Sequence, residues 1–306
     1  MNQSALVVGG VSWDTIVRVA ALPDPRPQTL FSQACHEAVG GTGAGKALNL
    51  ARLAWRTTLH CLLGDDDPGR RARAALEGAG IRVLAEPDRN GTERHTNLIA
   101  DSGARLSIYT HYGTFEPAFD LPALLAQALA HDVVIVNIAN YARALLGPLK
   151  AAGKAIWCDV HDWNGRDAYH RDFVTAADYL FMSSDNLPQW RDELAALIAD
   201  GRTRLAVCTH GADGATALLP GGRAIEVPAV AVPAIVSSDG AGDAFMVATL
   251  HGVLAGRSIE QSLEFGALAG ALCVQSQSLS SERLIPPSDW SCISTPTGYR
   301  SRGSAP

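Results

Sequence analysis

The sequence predicts an α/β protein: a doubly wound, mostly parallel sheet flanked by helices, with a small second sheet beside it. Three observations carry that prediction. Short, continuous apolar runs such as Ala5-Leu6-Val7-Val8 and Val133-Val134-Ile135-Val136 alternate with helical patterns, as in parallel βαβ units whose strands are buried on both faces. Segments 11–19, 30–39 and 96–110 instead alternate apolar and polar residues, as half-exposed strands do. Each main-sheet strand ends in a polar residue, so those ends should line one edge of the sheet and make a cleft.

The first apolar run stops at Gly9-Gly10, and the alternating segment 11–19 takes the chain out of the core sheet. Asp14 lies near that junction, where open α/β sheets place ligands, although a turn aspartate reads equally well. A Pro-rich turn at 23–27 precedes the extended segment 29–39. Gly40-Gly41-Thr42-Gly43-Ala44-Gly45-Lys46-Ala47 then forms a glycine-rich turn entering a helix with apolar Ala47, Leu50, Ala51 and Ala54. This stretch matches the phosphate-binding P-loop except at its end, where Ala47 replaces the hydroxyl that would ligate magnesium. Ser32, Gln33, His36 and Glu37 also make the preceding strand too polar for the centre of a parallel sheet. The glycines are better read as letting the backbone close over a small polar ligand.

Strand 59–63, helix 70–79 and strand 80–83 form the next unit. The Asp65-Asp66-Asp67-Pro68-Gly69 turn between them reads as a helix start rather than a metal site. Segments 96–101 and 105–110 form a hairpin around Ser102-Gly103-Ala104. Helix 121–130, strand 132–137, helix 142–152, strand 155–159, strand 179–182, helix 189–199 and strand 204–209 continue the alternation. Thr209, Gly211 and Gly214 mark a turn that could admit a nucleotide or simply join a hairpin. Helices follow from Gly242 to Leu254 and over 259–274, and the Ser/Pro/Gly-rich tail 294–306 is expected to be mobile.

Composition narrows the functional classes. A chain of 306 residues with 47% hydrophobic and 18% charged residues can bury a full core. Its formal charge of −6 offers no basic stripe for nucleic acid, and Arg70-Arg71-Ala72-Arg73 reads as a solvated helix face. No run approaches the ~18 apolar residues of a membrane span, and Met1-Asn2-Gln3-Ser4 carries no charged leader, so a cytoplasmic protein without membrane or nucleic-acid partners is expected. The six cysteines lack Cys-x-x-Cys spacing and read as reduced, buried packing residues. His161, Asp162 and His170 read as turn chemistry rather than a metal site, and no Gly-x-Ser-x-Gly elbow is present.

The chemistry concentrates in Ser237-Ser238-Asp239-Gly240-Ala241-Gly242-Asp243-Ala244-Phe245. A Gly-Ala-Gly turn opening a helix exposes free N–H groups to an anion, and a carboxylate in the first turn is stabilised by the helix dipole. Asp243 there could still take a proton from a bound hydroxyl during phosphoryl transfer. Spacing alone is equally compatible with an idle helix cap.

The two glycine-rich stretches, about 200 residues apart and each entering a helix, together resemble the signatures of the PfkB carbohydrate kinases, the ribokinase-like family. The resemblance covers nearly the whole chain. Gly40 through Leu53 is similar to the first signature, Gly64-Asp65-Asp66 with Gly69 and Gly80-Ile81 to its continuation, and Gly240 through Phe245 to the second. It implies a single ribokinase-like domain over 1–306, with a lid drawn from about 11–39 and 95–112 that excludes water and could join two copies into a homodimer. It also implies ATP- and Mg²⁺-dependent phosphorylation of a sugar-type hydroxyl. Asp243 would be the base, and Gly240, Ala241 and Gly242 the anion hole. Asp14, Gly40, Gly41 and the Gly45 position would hold the acceptor. Thr209, Gly211 and Gly214 would take the nucleotide, with Ser183 and Asn186 beside it. No metal ligand is assigned.

The departures matter as well. Ser237-Ser238-Asp239 stands where the family usually has Asp-Thr-x, so a monovalent-cation site is doubtful. Gly45 replaces a frequent substrate-binding Asn, and Ser278 a frequent glycine. Ser183-Ser184-Asp185-Asn186 stands for an Asn-x-x-Glu motif, where Asn186 lacks the glutamate's charge and Asp185 could supply one. The expected function is phosphorylation of an alcohol of a sugar or sugar-like molecule. A nucleoside kinase of the same family, a catalytically weak sugar or nucleotide sensor, and more distantly a P-loop NTPase dependent on Lys46 are the alternatives.

Overall fold

A computed structural model describes residues 3–161 and 163–288 of the chain. Strand β1 (Ser4–Val8) leads to β2 (Ser12–Val19) and β3 (Ala34–Gly40), then helix α1 (Thr42–Arg52), β4 (Arg56–Leu63), α2 (Asp67–Gly78) and β5 (Arg82–Pro87). The chain next forms β6 (Arg94–Ala100), β7 (Arg105–His111), α3 (Leu121–Ala130), β8 (Val133–Val136), α4 (Arg143–Ala151), β9 (Ile156–Asp159), α5 (Arg171–Ala176) and β10 (Tyr179–Ser183). It ends through α6 (Trp190–Ala199), β11 (Leu205–Thr209), β12 (Ala215–Leu218), β13 (Ala224–Val227), α7 (Ala241–Leu254) and α8 (Ile259–Cys273).

The described residues make a 9-stranded sheet ordered β13-β12-β11-β10-β9-β8-β1-β4-β5 and a 4-stranded sheet ordered β3-β2-β6-β7. The main sheet is parallel from β5 to β11, and β12 and β13 add an antiparallel edge. Strand β1 is buried at every residue, as its unbroken apolar run requires. Ala5 and Val7 enter the core beneath α1, α7 and α8, whereas Leu6 and Val8 enter the opposite core beneath α3 to α6. Along β2 burial alternates, so Asp14 and Ile16 face inward.

Helix α7 is buried all along 243–252, and the backbones of α7 and α8 approach closely where Gly252 meets Ser262 and Gly266 meets Thr249. At α2, Asp66 accepts the Gly69 N–H at 2.8 Å and also holds Thr92, so the triple aspartate is helix-start chemistry. Two elements escape periodicity: α5 spans 6 residues, under two helical turns, and β13 is an edge strand whose only apolar inward positions are Ile225 and Val227. Cys61, Cys158, Cys208 and Cys273 are buried as expected. Cys35 is a correction: it is exposed, because β3 is an edge strand of the small sheet with little covering it. Cys292, Asp162 and the tail 294–306 lie outside the described residues.

Candidate active site

A cleft of about 1600 Å³ opens between the small sheet and the carboxyl ends of the main strands. Asn137, Asp159, Ser183 and Thr209, each at or just past a strand end, line it. Gly240, Ala241, Gly242 and Asp243 line it too, at the head of α7. Gly240 has φ 76°, and a Cβ there would meet the Leu279 carbonyl oxygen at 2.7 Å, so only glycine opens the helix this way. No side chain caps α7, whose Ala241 N–H donates weakly to the Ser238 carbonyl at 3.5 Å, and a helix start without a side-chain cap is chemically suited to an anion.

Asp243 is 5% exposed and pairs with the ammonium of Lys46. Lys46 Nζ also lies 3.1 Å from Asp159 Oδ2, and Asp159 Oδ1 accepts the His161 N–H at 2.9 Å. The fully buried amine is disfavoured by desolvation, but the two carboxylates outweigh that and hold it protonated. Burial pushes the Asp159 carboxyl up, and His161 and Lys46 more than reverse this, leaving it below the usual carboxylate range. For Asp243 burial wins: its carboxyl stays above the ordinary value even though Lys46 and His161 pull it down. The helix dipole alone would have depressed it, as the sequence suggested; the depth of α7 reverses the sign.

Lys46 therefore does not cradle phosphate as a P-loop lysine would. It does not line the cleft, and the strand before it is the edge β3 rather than a central strand. Gly45, expected on the acceptor side, is also absent from the lining. It backs Asp243 from behind, where a Cβ would collide with the carboxylate.

Asp14, Gly40 and Gly41 line the cleft from the small-sheet side. The Asp14 carboxylate accepts the His95 backbone N–H at 3.2 Å and the Asn97 amide at 3.1 Å, with His95 Nδ1 3.4 Å away. His95 Nε2 reaches Glu93 at 3.0 Å. Burial opposes a charge on His95, but hydrogen bonds with Asp14 and Glu93 prevail and raise its pKa to about 9. Gly40 is close-packed, since a Cβ would strike Asp14 and Ser12.

Thr209, Gly211, Gly214, Ser183 and Asn186 line the same cleft toward β10 and β11. Thr209 Oγ1 donates to the Met182 carbonyl at 3.3 Å. From the small sheet, Arg105 pairs with Asp239 in the loop before α7, and the Asp239 N–H donates to Ser237 Oγ at 3.1 Å. Sequence reasoning missed His95, Asn97 and Arg105 as cleft residues, and it assigned Lys46 only to a P-loop. Asp159 was covered by the expectation that polar strand ends line the cleft, but it was given no role of its own.

The model of the pfkB family carbohydrate kinases matches residues 2–284. The chain belongs to that family. This PfkB-family chain is 35% identical over 273 residues to an acarbose 7(IV)-phosphotransferase from Actinoplanes sp., covering 88% of this chain and 91% of that protein. It is 29% identical over 280 residues to an ATP-dependent ribose-1-phosphate kinase from Halopiger xanaduensis, covering 87% and 90%. Among solved structures it matches a microbiome-derived acarbose kinase with TM-score 0.82 and 32% identity over 94% of this chain and 97% of that one. An Arabidopsis thaliana ribokinase complexed with ribose and ATP matches with TM-score 0.74 at 21% identity, covering 96% and 98%, which shows the fold. As a PfkB-family member the protein is a carbohydrate kinase, a phosphotransferase with an alcohol group as acceptor.

Proposed function

We propose that this kinase transfers the γ-phosphoryl group of ATP to one hydroxyl of a sugar-like acceptor longer than a single ring, of which acarbose is an example. The observation that carries the transfer is the presence of Asp243 and the uncapped start of α7 in one cleft. The acceptor oxygen bonds to the γ-phosphorus as the bond to ADP breaks, and the hydroxyl proton passes to Asp243. The amides of Gly240, Ala241 and Gly242 take the charge that gathers on the phosphoryl oxygens. Asp14, fixed by His95 and Asn97, accepts hydrogen bonds from acceptor hydroxyls, and Gly40 leaves the room its carboxylate needs, with Gly41 beside it in the cleft lining. The Thr209, Gly211 and Gly214 turn takes the nucleotide, and the small sheet acts as the lid.

Magnesium would neutralise the phosphate oxygens. Among the described residues no three carboxylate, histidine or cysteine groups cluster to cage a metal. That donor set suits an ion held mainly by the phosphates and water, with the Asp185 carboxylate and the Asn186 amide in the cleft as its protein contacts.

A multi-ring acceptor is supported by the cleft's rim. Tyr112 and Phe115 are 68% and 62% exposed yet line the cleft. The Tyr109 and Tyr112 rings are 10° from parallel with centroids 6.1 Å apart. Asp88 pins their loop by accepting the Thr114 N–H at 2.7 Å and the Thr114 hydroxyl. Fixed aromatic faces beside a polar floor suit further sugar rings. The acarbose kinases among its relatives point the same way.

ADP release measured with acarbose, ribose and inosine tests both parts. Acarbose is expected to give the highest kcat/KM, and Asp243→Asn to lower turnover by at least about 100-fold with unchanged circular dichroism. Turnover retained in the folded Asn variant would overturn the assignment of the base, and a preference for ribose would overturn the acceptor class.

A further inference from the structure

Among the described residues Lys46 is one of the largest side chains buried with under 2% exposure, and it is a cation. Burying an ammonium costs several kcal/mol unless its charge is met by well-placed partners. Here the partners come from elements distant in the chain: Asp243 is 197 positions away at the head of α7, and Asp159 is 113 positions away at the end of β9. The surroundings are shaped for this contact. Gly45 leaves room for the Asp243 carboxylate against α1, and Asn49, one turn on, donates to the Gly45 carbonyl at 2.8 Å and the Leu279 carbonyl at 2.9 Å. That second bond ties α1 to the strap that also packs on Gly240. The amine thus touches the proposed base from the side away from the cleft, while ligands enter from the other.

We infer that Lys46 is a positioning residue for phosphoryl transfer: its ammonium, pinned between Asp159 and Asp243, fixes the orientation and the charge of the Asp243 carboxylate. This rests on the reading of Asp243 as the base. The ionisable groups around that carboxylate are Lys46 from α1, Asp159 and His161 at the end of β9, and Cys273 from α8, whose thiol burial pushes up to about 12. At neutral pH the thiol is uncharged. Lys46 and His161 favour ionised Asp243 and Asp159 disfavours it, and of the two favouring groups Lys46 is the one in direct contact with the carboxylate.

The opposition gives two predictions of opposite sign. Replacing the cation by Lys46→Met should raise the pH at which Asp243 ionises. The acid limb of the kcat/KM profile should move up by about one pH unit or more, and kcat at pH 7 should fall about 10- to 100-fold. KM for ATP and acceptor should stay within about twofold, because the amine lies outside the cleft lining. Replacing the anion by Asp159→Asn keeps Lys46 and should move the acid limb down.

The experiment is the pH dependence of kcat and KM for wild type, Lys46→Met, Lys46→Arg, Asp159→Asn and Asp243→Asn, each checked for folding by thermal melt. A folded Lys46→Met enzyme with wild-type kcat and an unmoved limb would overturn the inference. If that variant does not fold, Asp159→Asn decides: a limb that stays in place or moves up overturns it. A merely structural lysine would affect melting without moving either limb. An active Asp243→Asn enzyme would show that the base itself was misassigned, a result separable from unmoved limbs in an enzyme that needs Asp243.

Discussion

His95 couples the proposed acceptor carboxylate to pH. It is buried between Asp14 and Glu93, and its pKa is raised from 6.5 to about 9. A cation stabilised in the fold and not in the unfolded chain contributes stability that is fully present below pH 6.5 and is lost as pH rises through about 9. The melting temperature of the wild type should therefore decline across that window, and in His95→Gln the decline should flatten. The substitution keeps a side-chain donor for Asp14 but removes the charge. An equal slope in the two proteins would show that the charged pair contributes nothing to folding. The same histidine packs on Tyr109 with ring centroids 3.9 Å apart, so its loss should also loosen the aromatic rim.

Among elements, the link between β7 and the loop before α7 bears most directly on function. Arg105 reaches from the small sheet to Asp239, beside the proposed anion site at the start of α7, and Ser238 Oγ donates to the Gly103 carbonyl at 3.3 Å. Arg105→Ala would leave Asp239 buried without its main cation and loosen the hairpin's hold on the loop before α7. KM for the acceptor should rise about 10-fold, with a smaller change in kcat, as steady-state kinetics would show. An unchanged KM would mean that the pair does not hold the sheet over the cleft. Elements themselves were largely legible: the helix expected over 121–130 is α3, Leu121–Ala130, because an apolar stripe and an Asp120 cap are both local signals. The strand-end residues were legible as a cleft for the same reason. The cluster of Lys46, Asp159 and Asp243 was not, since its members lie far apart in sequence and a lysine reads as solvent-exposed until its carboxylates are placed beside it. Likewise the sign of the Asp243 shift depends on how deeply α7 is buried, which local pattern does not reveal.

For the molecule as a whole, connectivity decides whether the small sheet can behave as a separate unit. The chain passes from β1 to β2 and back from β3 to β4, then from β5 to β6 and back from β7 to β8. No continuous segment contains the small sheet, so it cannot fold without the main one closing each excursion. Strand β2 supports this, because it pairs in parallel with β6 across the intervening β3, α1, β4, α2 and β5. The small sheet also leans on α2 through the Arg71 guanidinium, 4.4 Å from the Trp13 ring centroid. Denaturation should then be one cooperative transition despite two sheets. The test is a urea titration followed by far-ultraviolet circular dichroism and by fluorescence of a variant that keeps Trp13 as its only tryptophan, with Phe at the other Trp positions. Coincident midpoints are expected. An earlier fluorescence midpoint would show the small sheet melting first, and the proposed lid movement would then be local unfolding rather than hinge movement of an intact sheet.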